Sequence, residues 1–315
     1  IPDEAAIVML TRDGYIKRLS PDTYRAQRRG GKGVIGLATK EEDVVEQMLT
    51  TTTHKDLLFF TTRGRVFQLK AYDVPVSSRT AKGQAIVNFL QLSASERVSS
   101  VLSMADLEDS KYLVMVTQKG LIKKVDVSDF GKVRRSGLIA IKLKDEDALE
   151  WVKPSTGGDD IALVTANGQS IRFREKEVRP MGRAAAGVRG IRLKSTDMVV
   201  GMDVCSSTMV GKGMLELFVA MKNGYGKRTN VKQYKVQGRG GSGIKTAATT
   251  GKTGKVIFSE VVNAKDERDL IVVSSHGQVI RLALKAVPSL GRATQGVRLM
   301  SFKEKGDTIA SITFI

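Results

Sequence analysis

The 315-residue chain is expected to be all-β, folded as a six-bladed, propeller-like ring built from six repeats of about 50 residues. Three observations predict this. A hairpin-like pattern recurs six times, a second glycine follows each hairpin at a nearly fixed distance, and basic residues concentrate between the two glycines.

The hairpin pattern is a short apolar or β-branched run, a polar-Gly pair and a second short run. It reads IVMLTRDGYIKRL around Gly14, LLFFTTRGRVFQL around Gly64 and LVMVTQKGLIKKV around Gly120. It continues as IALVTANGQSIRF around Gly168, LFVAMKNGYGKRT around Gly224 and LIVVSSHGQVIRL around Gly277. These glycines lie 50, 56, 48, 56 and 53 residues apart, so six copies fill the chain. The runs are too short and too β-branched for helices, and glycine supplies the positive φ of a tight turn.

A second glycine stands at Gly33, Gly83, Gly137, Gly187, Gly243 and Gly296, 19 residues after the first in five copies and 17 in the third. Another alternating apolar segment follows it, which makes about four short strands per copy. Blades are expected at approximately 7–55, 56–110, 111–158, 159–213, 214–267 and 268–315, within one domain. Two unrelated β-sandwiches would not maintain a fixed distance between glycines.

Composition narrows the function classes. With 41% apolar residues, 31 glycines and only 6 prolines, the chain suits a turn-dense folded protein. No stretch approaches the roughly 18 uncharged apolar residues of a membrane-spanning helix. The start, Ile1-Pro2-Asp3-Glu4, has neither an initiator Met nor a signal sequence, so a soluble piece of a longer polypeptide is expected. The single Cys205 cannot form an internal disulfide, and His54 and His276 cannot build a multi-His metal site. A reducing, cytosolic setting follows.

Charge points to the partner. The chain carries 51 Lys and Arg against 33 Asp and Glu, a formal charge of +18. The six segments between first and second glycine hold 28 basic and 6 acidic residues, while the other 197 residues hold 23 basic and 27 acidic ones. Equivalent segments in six blades make a stripe around the ring, which suits a long polyanion such as duplex DNA, charged every ~1.7 Å of its axis. The 17 aromatic residues are scattered, against a membrane face and against the stacking platforms of single-strand readers. Without a base-reading helix, phosphate contact and DNA deformability should dominate recognition.

The loop of the first copy reads Gln27-Arg28-Arg29-Gly30-Gly31-Lys32-Gly33. Three cations among glycines let backbone N–H groups and guanidinium forks converge on phosphate, although a basic turn would read the same way. This heptapeptide resembles the gyrase A box, Q-(K/R)-R-G-G-(R/K)-G. The surrounding repeats are similar, over essentially the whole chain, to the C-terminal domain of the DNA gyrase A subunit. The resemblance implies a β-pinwheel with strands exchanged between blades, wrapping double-stranded DNA with positive handedness and directing a type IIA topoisomerase toward negative supercoiling. It implies no catalysis and no cofactor in this chain alone, with ATP and Mg expected elsewhere in the holoenzyme. It also implies the N-terminal cleavage domain of gyrase A and the ATPase, gyrase B, as partners, a bacterial, nucleoid-associated location, and a monomeric isolated domain. The equivalent domain of topoisomerase IV is the nearest alternative, but usually has fewer blades and a degraded box. A propeller scaffold for acidic proteins is the alternative from another class.

Gln27, Arg28, Arg29, Gly30, Gly31, Lys32 and Gly33 are thus the expected anchor. Arg79, Lys82, Arg134, Arg135, Arg183, Lys235, Arg239 and Arg292 are expected to make weaker rim contacts. The fifth copy carries a degenerate echo of the box, Gln237 to Gly243. GRGGSGIKT, from Gly238, misses the P-loop pattern by Ile244 and lacks a strand-to-helix setting. Asp145-Glu146-Asp147 and Asp159-Asp160 read as solvated loops, His276 as a turn residue, and Trp151 and Cys205 as core, leaving no catalytic constellation and no metal site.

Overall fold

The computed structural model describes residues 1–24, 44–78 and 80–315. In chain order, the first copy supplies β1 (Ala5–Thr11), β2 (Tyr15–Leu19) and β3 (Val45–Thr52). The second supplies β4 (Asp56–Thr61), β5 (Arg65–Lys70), β6 (Gln84–Ala85) and β7 (Val98–Ser103). The third supplies β8 (Tyr112–Thr117), β9 (Leu121–Asp126), β10 (Leu138–Ile139) and β11 (Leu149–Ser155). The fourth supplies β12 (Asp160–Thr165), β13 (Gln169–Arg174), β14 (Val188–Arg189) and β15 (Val199–Cys205). The fifth supplies β16 (Leu215–Met221), β17 (Tyr225–Asn230), β18 (Ile244–Lys245) and β19 (Val256–Asn263). The sixth supplies β20 (Asp269–Ser274), β21 (Val279–Ala283), β22 (Val297–Arg298) and β23 (Ile309–Phe314).

These strands form six antiparallel sheets, ordered β3-β1-β2-β6, β10-β5-β4-β7, β11-β8-β9-β14, β15-β12-β13-β18, β19-β16-β17-β22 and β21-β20-β23. In each of the first five, the two-residue strand at one end comes from the next copy. At the opposite end β3, β7, β11, β15, β19 and β23 neighbour one another and form the hub. The ring closes there: the Thr313 hydroxyl donates to the Val45 carbonyl at 3.0 Å, and Arg12 donates to the Ala310 carbonyl at 2.7 Å. Sheets arranged radially around a hub leave only short outer edges to solvent.

The uninterrupted apolar runs now have a cause. On β4, Leu57 and Phe59 pack toward the first blade with Val8 and Ile16, while Leu58 and Phe60 pack toward the third with Leu113 and Met115. Both faces of the strand are covered, so the half-buried alternation of an exposed sheet is absent. The core is a series of layers between neighbouring blades.

Both glycines serve the exchange of strands. Gly168 has φ +86°, and a Cβ there would stand 2.6 Å from the carbonyl oxygen of Ala247, which follows the donated β18. Gly187 has φ +91°, and its Cβ would stand 2.7 Å from the carbonyl of Ile122 in the preceding copy. The donated segment is fixed by backbone bonds: Thr246 donates to Gly168 at 2.7 Å, Gly190 to Gly120 at 2.8 Å and Leu299 to Gly224 at 2.7 Å. The constant spacing therefore records where one copy crosses onto another.

One loop expectation is corrected. Asp160 begins β12, is fully buried, and accepts from Arg174 at 2.7 Å while facing Arg172 at 3.3 Å. A solvated carboxylate would not have been placed under two guanidiniums. Cys205 is buried, and desolvation pushes its thiol well above the usual range. His276 sits in its turn beside Glu304, 2.6 Å from Nδ1.

Candidate nucleic-acid interface

Between hairpin and donated strand, the second, fourth, fifth and sixth copies run along the outer edge of the preceding blade. A short 3-10 turn leaves the hairpin, as at Glu175–Glu177, Val231–Gln233 and Leu284–Ala286. The chain then bridges in parallel to the second hairpin strand of the previous copy: Val76 to Arg18, Pro180 to Lys124, Val236 to Arg172 and Ser289 to Arg228. A loop follows, then the second glycine, then the donated strand. Because that strand is outermost in its sheet, the loops form the rim.

The expected contact residues fall into three groups. Lys82, Arg134, Arg135 and Lys235 are exposed in rim loops, and the Lys82 ammonium lies 3.9 Å from the centre of the Tyr15 ring. Arg183, Arg239 and Arg292 are half-buried, each four residues before the second glycine. Each reaches back to the copy before it. Arg183 donates to the Ile139 carbonyl at 3.3 Å, Arg239 to that of Arg189 at 2.6 Å and Arg292 to that of Lys245 at 2.8 Å. The third group, Arg79 and the heptapeptide Gln27, Arg28, Arg29, Gly30, Gly31, Lys32 and Gly33, lies outside the described residues.

The uniform basic stripe needs correction, because several cations between the two glycines point inward. Lys17, Lys123, Lys124, Lys227 and Arg228 are buried. Arg18 donates to the Val74 carbonyl at 2.9 Å, Arg172 to that of Val231 at 3.1 Å and Arg228 to that of Val287 at 2.8 Å, each time across to the next copy. Lys124 lies 3.4 Å from the buried Glu175 carboxylate. The cause is the layered core: in the first five copies the second hairpin strand is mostly buried or half-buried, whereas β21 of the sixth is exposed at alternate residues.

Burial pushes Lys123 and Lys227 down to about 8, with the nearby charges of Arg183 and Arg292 respectively adding to the effect. Charge density at the rim is instead supplemented by residues the glycine-to-glycine reading passed over. Arg189, Lys245 and Arg298 are exposed on donated strands just beyond the second glycine, and Arg179 is exposed before the loop. Alternation continued past that glycine, with Val188, Ile244 and Val297 each preceding a cation, was the available signal.

Fold and rim define a class: a six-bladed β-propeller whose blades share strands and whose edge carries cations held by backbone carbonyls. The sequence profile of the DNA gyrase C-terminal domain, beta-propeller, matches residues 5–52, 55–103, 111–156, 159–206, 216–263 and 268–315. The chain belongs to that family. The DNA gyrase A subunit of Staphylococcus epidermidis (strain ATCC 12228 / FDA PCI 1200) is 44% identical over 301 residues, covering 95% of this chain and 33% of the relative. The same subunit of Staphylococcus aureus (strain MRSA252) matches with the same identity and coverage. The chain thus spans about a third of the length of these curated relatives. Among solved structures, the C-terminal domain of DNA topoisomerase IV superposes with a TM-score of 0.81 at 26% identity, covering 100% of this chain and 94% of that one. The DNA gyrase A C-terminal domain superposes with a TM-score of 0.74 at 24% identity over 99% of both chains, a likeness of fold.

Proposed function

We propose that this chain is the non-catalytic, DNA-wrapping part of a DNA gyrase A subunit, which bends duplex DNA around the rim and directs strand passage toward negative supercoiling. The observation that carries the reading is the recurrence of Arg183, Arg239 and Arg292 at one place on three successive copies, each tied to its neighbour. A guanidinium has five N–H donors, so one or two carbonyl bonds fix its direction and leave others for phosphate. Bending a duplex by 40–90° costs on the order of 1–6 kcal/mol, and a long wrap needs several such bends. Contacts spread over successive blades offset that cost where one loop would not. Arg28, Arg29 and Lys32 serve as the anchor that closes the wrap, within the heptapeptide completed by Gln27, Gly30, Gly31 and Gly33.

In this reading cleavage and ATP hydrolysis, with ATP and Mg, belong to the N-terminal cleavage domain of gyrase A and to the ATPase, gyrase B, in the bacterial cytoplasm. The test is the linking number of nicked circles religated in the presence of the chain. The native sequence should give a positive shift. Changing Arg28, Arg29 and Lys32 together to Ala should abolish it while short duplexes still bind. A full shift in that variant sinks the anchor; no shift with the native chain sinks wrapping. The superposition on the topoisomerase IV domain supports a second reading, in which this chain is the equivalent domain of a topoisomerase IV. The complete QRRGGKG heptapeptide and six copies favour the first. Binding that is indifferent to duplex length would favour an acidic-protein scaffold instead.

A further inference from the structure

At the third residue after the hairpin glycine the six copies alternate: Lys17, Phe67, Lys123, Ile171, Lys227 and Ile280. In the first five copies this position lies beneath the rim loop of the following copy. Lys123 is fully buried, and its ammonium donates to the carbonyls of Gly182 at 2.9 Å, Arg183 at 2.8 Å and Ala185 at 3.0 Å. Lys227, also fully buried, donates to the carbonyls of Gly291 and Arg292, both at 2.7 Å, and to the Thr294 hydroxyl at 3.1 Å. Lys17 donates to the carbonyls of Ala81 at 3.0 Å and Ser78 at 3.4 Å. An ammonium has three donors and no acceptor, so three inward-turned oxygens match it.

The loops differ accordingly. Those gathered on a lysine read SRTAKG, GRAAAG and GRATQG, with one glycine at most before the last. Those over an apolar residue are shortened, as GKVRRSG over Phe67, or glycine-rich, as QGRGGSG over Ile171. A Cβ on Gly137 would meet the Phe67 ring at 2.8 Å, and one on Gly241 would meet Ile171 at 3.8 Å. An apolar support therefore goes with loops that are short or poor in side chains, and a lysine support with loops whose carbonyls turn inward.

We propose that Lys123 and Lys227 are positioning residues for DNA binding: each ammonium gathers the carbonyls of the next copy's rim loop and thereby fixes the arginine that the loop presents, Arg183 and Arg292 respectively. Arg183 and Arg292 are then held twice, by their own carbonyl on the lysine below and by their guanidinium on the neighbouring donated strand. This rests on the DNA-wrapping reading and extends it from the residues that touch phosphate to those that aim them.

The test replaces Lys123→Ile and Lys227→Ile together, the residue type that the fourth and sixth copies carry at this position. Circular dichroism and the melting transition report whether the ring is retained. Expected is at least tenfold faster amide exchange confined to residues 181–187 and 290–296. Affinity for a duplex long enough to span several blades should fall several-fold, and the log–log salt slope should become shallower by about 0.9 for each arginine withdrawn from phosphate. Unchanged exchange overturns the cage; faster exchange with unchanged affinity and slope overturns the positioning role. If the native chain fails to bind duplex while the exchange contrast holds, the DNA reading fails and the cage stands.

Should the variant not fold, the native chain carries the test. The charged groups facing Lys123 and Lys227 are Arg183 and Arg292. Raising the pH from 7 to 9 removes one donor and one charge from each cage, so duplex affinity should decline with an inflection near 8. A flat profile overturns the proposal.

Discussion

Cations inside the blades differ from those of the rim loops in having carboxylates, as well as backbone carbonyls, for partners. Inside, carboxylates answer them: Asp160 takes Arg172 and Arg174, Glu175 takes Lys124, Glu216 takes Arg228, and Glu96 takes Arg65 at 2.6 Å. At the rim, backbone carbonyls answer Lys123, Lys227, Arg183, Arg239 and Arg292. A carboxylate cancels the charge it orients, whereas a carbonyl orients the side chain and leaves the formal charge standing. The interior is thus built to hold together and the rim to stay positive, and the same two residue types serve both through the choice of acceptor.

The largest expected break in this contrast comes from Asp160→Asn. The largely buried Arg172 and the half-exposed Arg174 would lose their counter-charge, and removing one partner of a buried pair destabilises by about 3–5 kcal/mol. Thermal unfolding should show the loss, while duplex affinity per folded molecule should stay unchanged; an equal loss of affinity would erase the distinction. Acid should act next, and only on the interior. Although burial pushes Glu96 up, hydrogen bonds from Arg65, Thr61 and the Ser93 backbone hold it down at about 2. A lowered carboxyl stabilises fully above its ordinary value near 4.5 and loses that contribution as pH falls toward 2. Denaturant midpoints between pH 5 and pH 2 should therefore drop, and Glu96→Gln should flatten that part of the profile. The smallest effect belongs to the exposed rim. Arg134→Ala or Arg135→Ala should leave melting unchanged and make the salt slope of binding shallower by about 0.9 each.

The hairpins and both glycines were legible because each repeat restates them, and the structure adds the reason for their spacing in contacts such as Gly187 against Ile122. The direction of the cations was not. IKRL and IKKV suggest a strand with an outward lysine, yet a strand covered on both faces has no outward side, and Lys17 and Lys123 turn into the rim loops instead. The donated strands, each two residues long, are too brief for periodicity to assign a partner. Arg183, Arg239 and Arg292 were found from charge and position. Their ties to Ile139, Arg189 and Lys245 depend on which copies lie side by side, and no local pattern in the chain encodes that. Arg28, Arg29 and Lys32 stood out by local chemistry as an anion site or a basic turn, and family likeness decided between the two.

Strand donation also sets the frame in which the molecule can be re-engineered. Each of the first five sheets is completed by the following copy, so a blade lifted out at the sequence-repeat boundary would leave one edge bare and one short strand homeless. Because each donated strand lies in the chain between the hairpin and the inner strand of its own copy, no contiguous cut removes a whole sheet without splitting a neighbouring one. In chimeras between relatives, every junction therefore places a hairpin of one parent beside a strand of the other, and the match between those two decides whether the sheet forms.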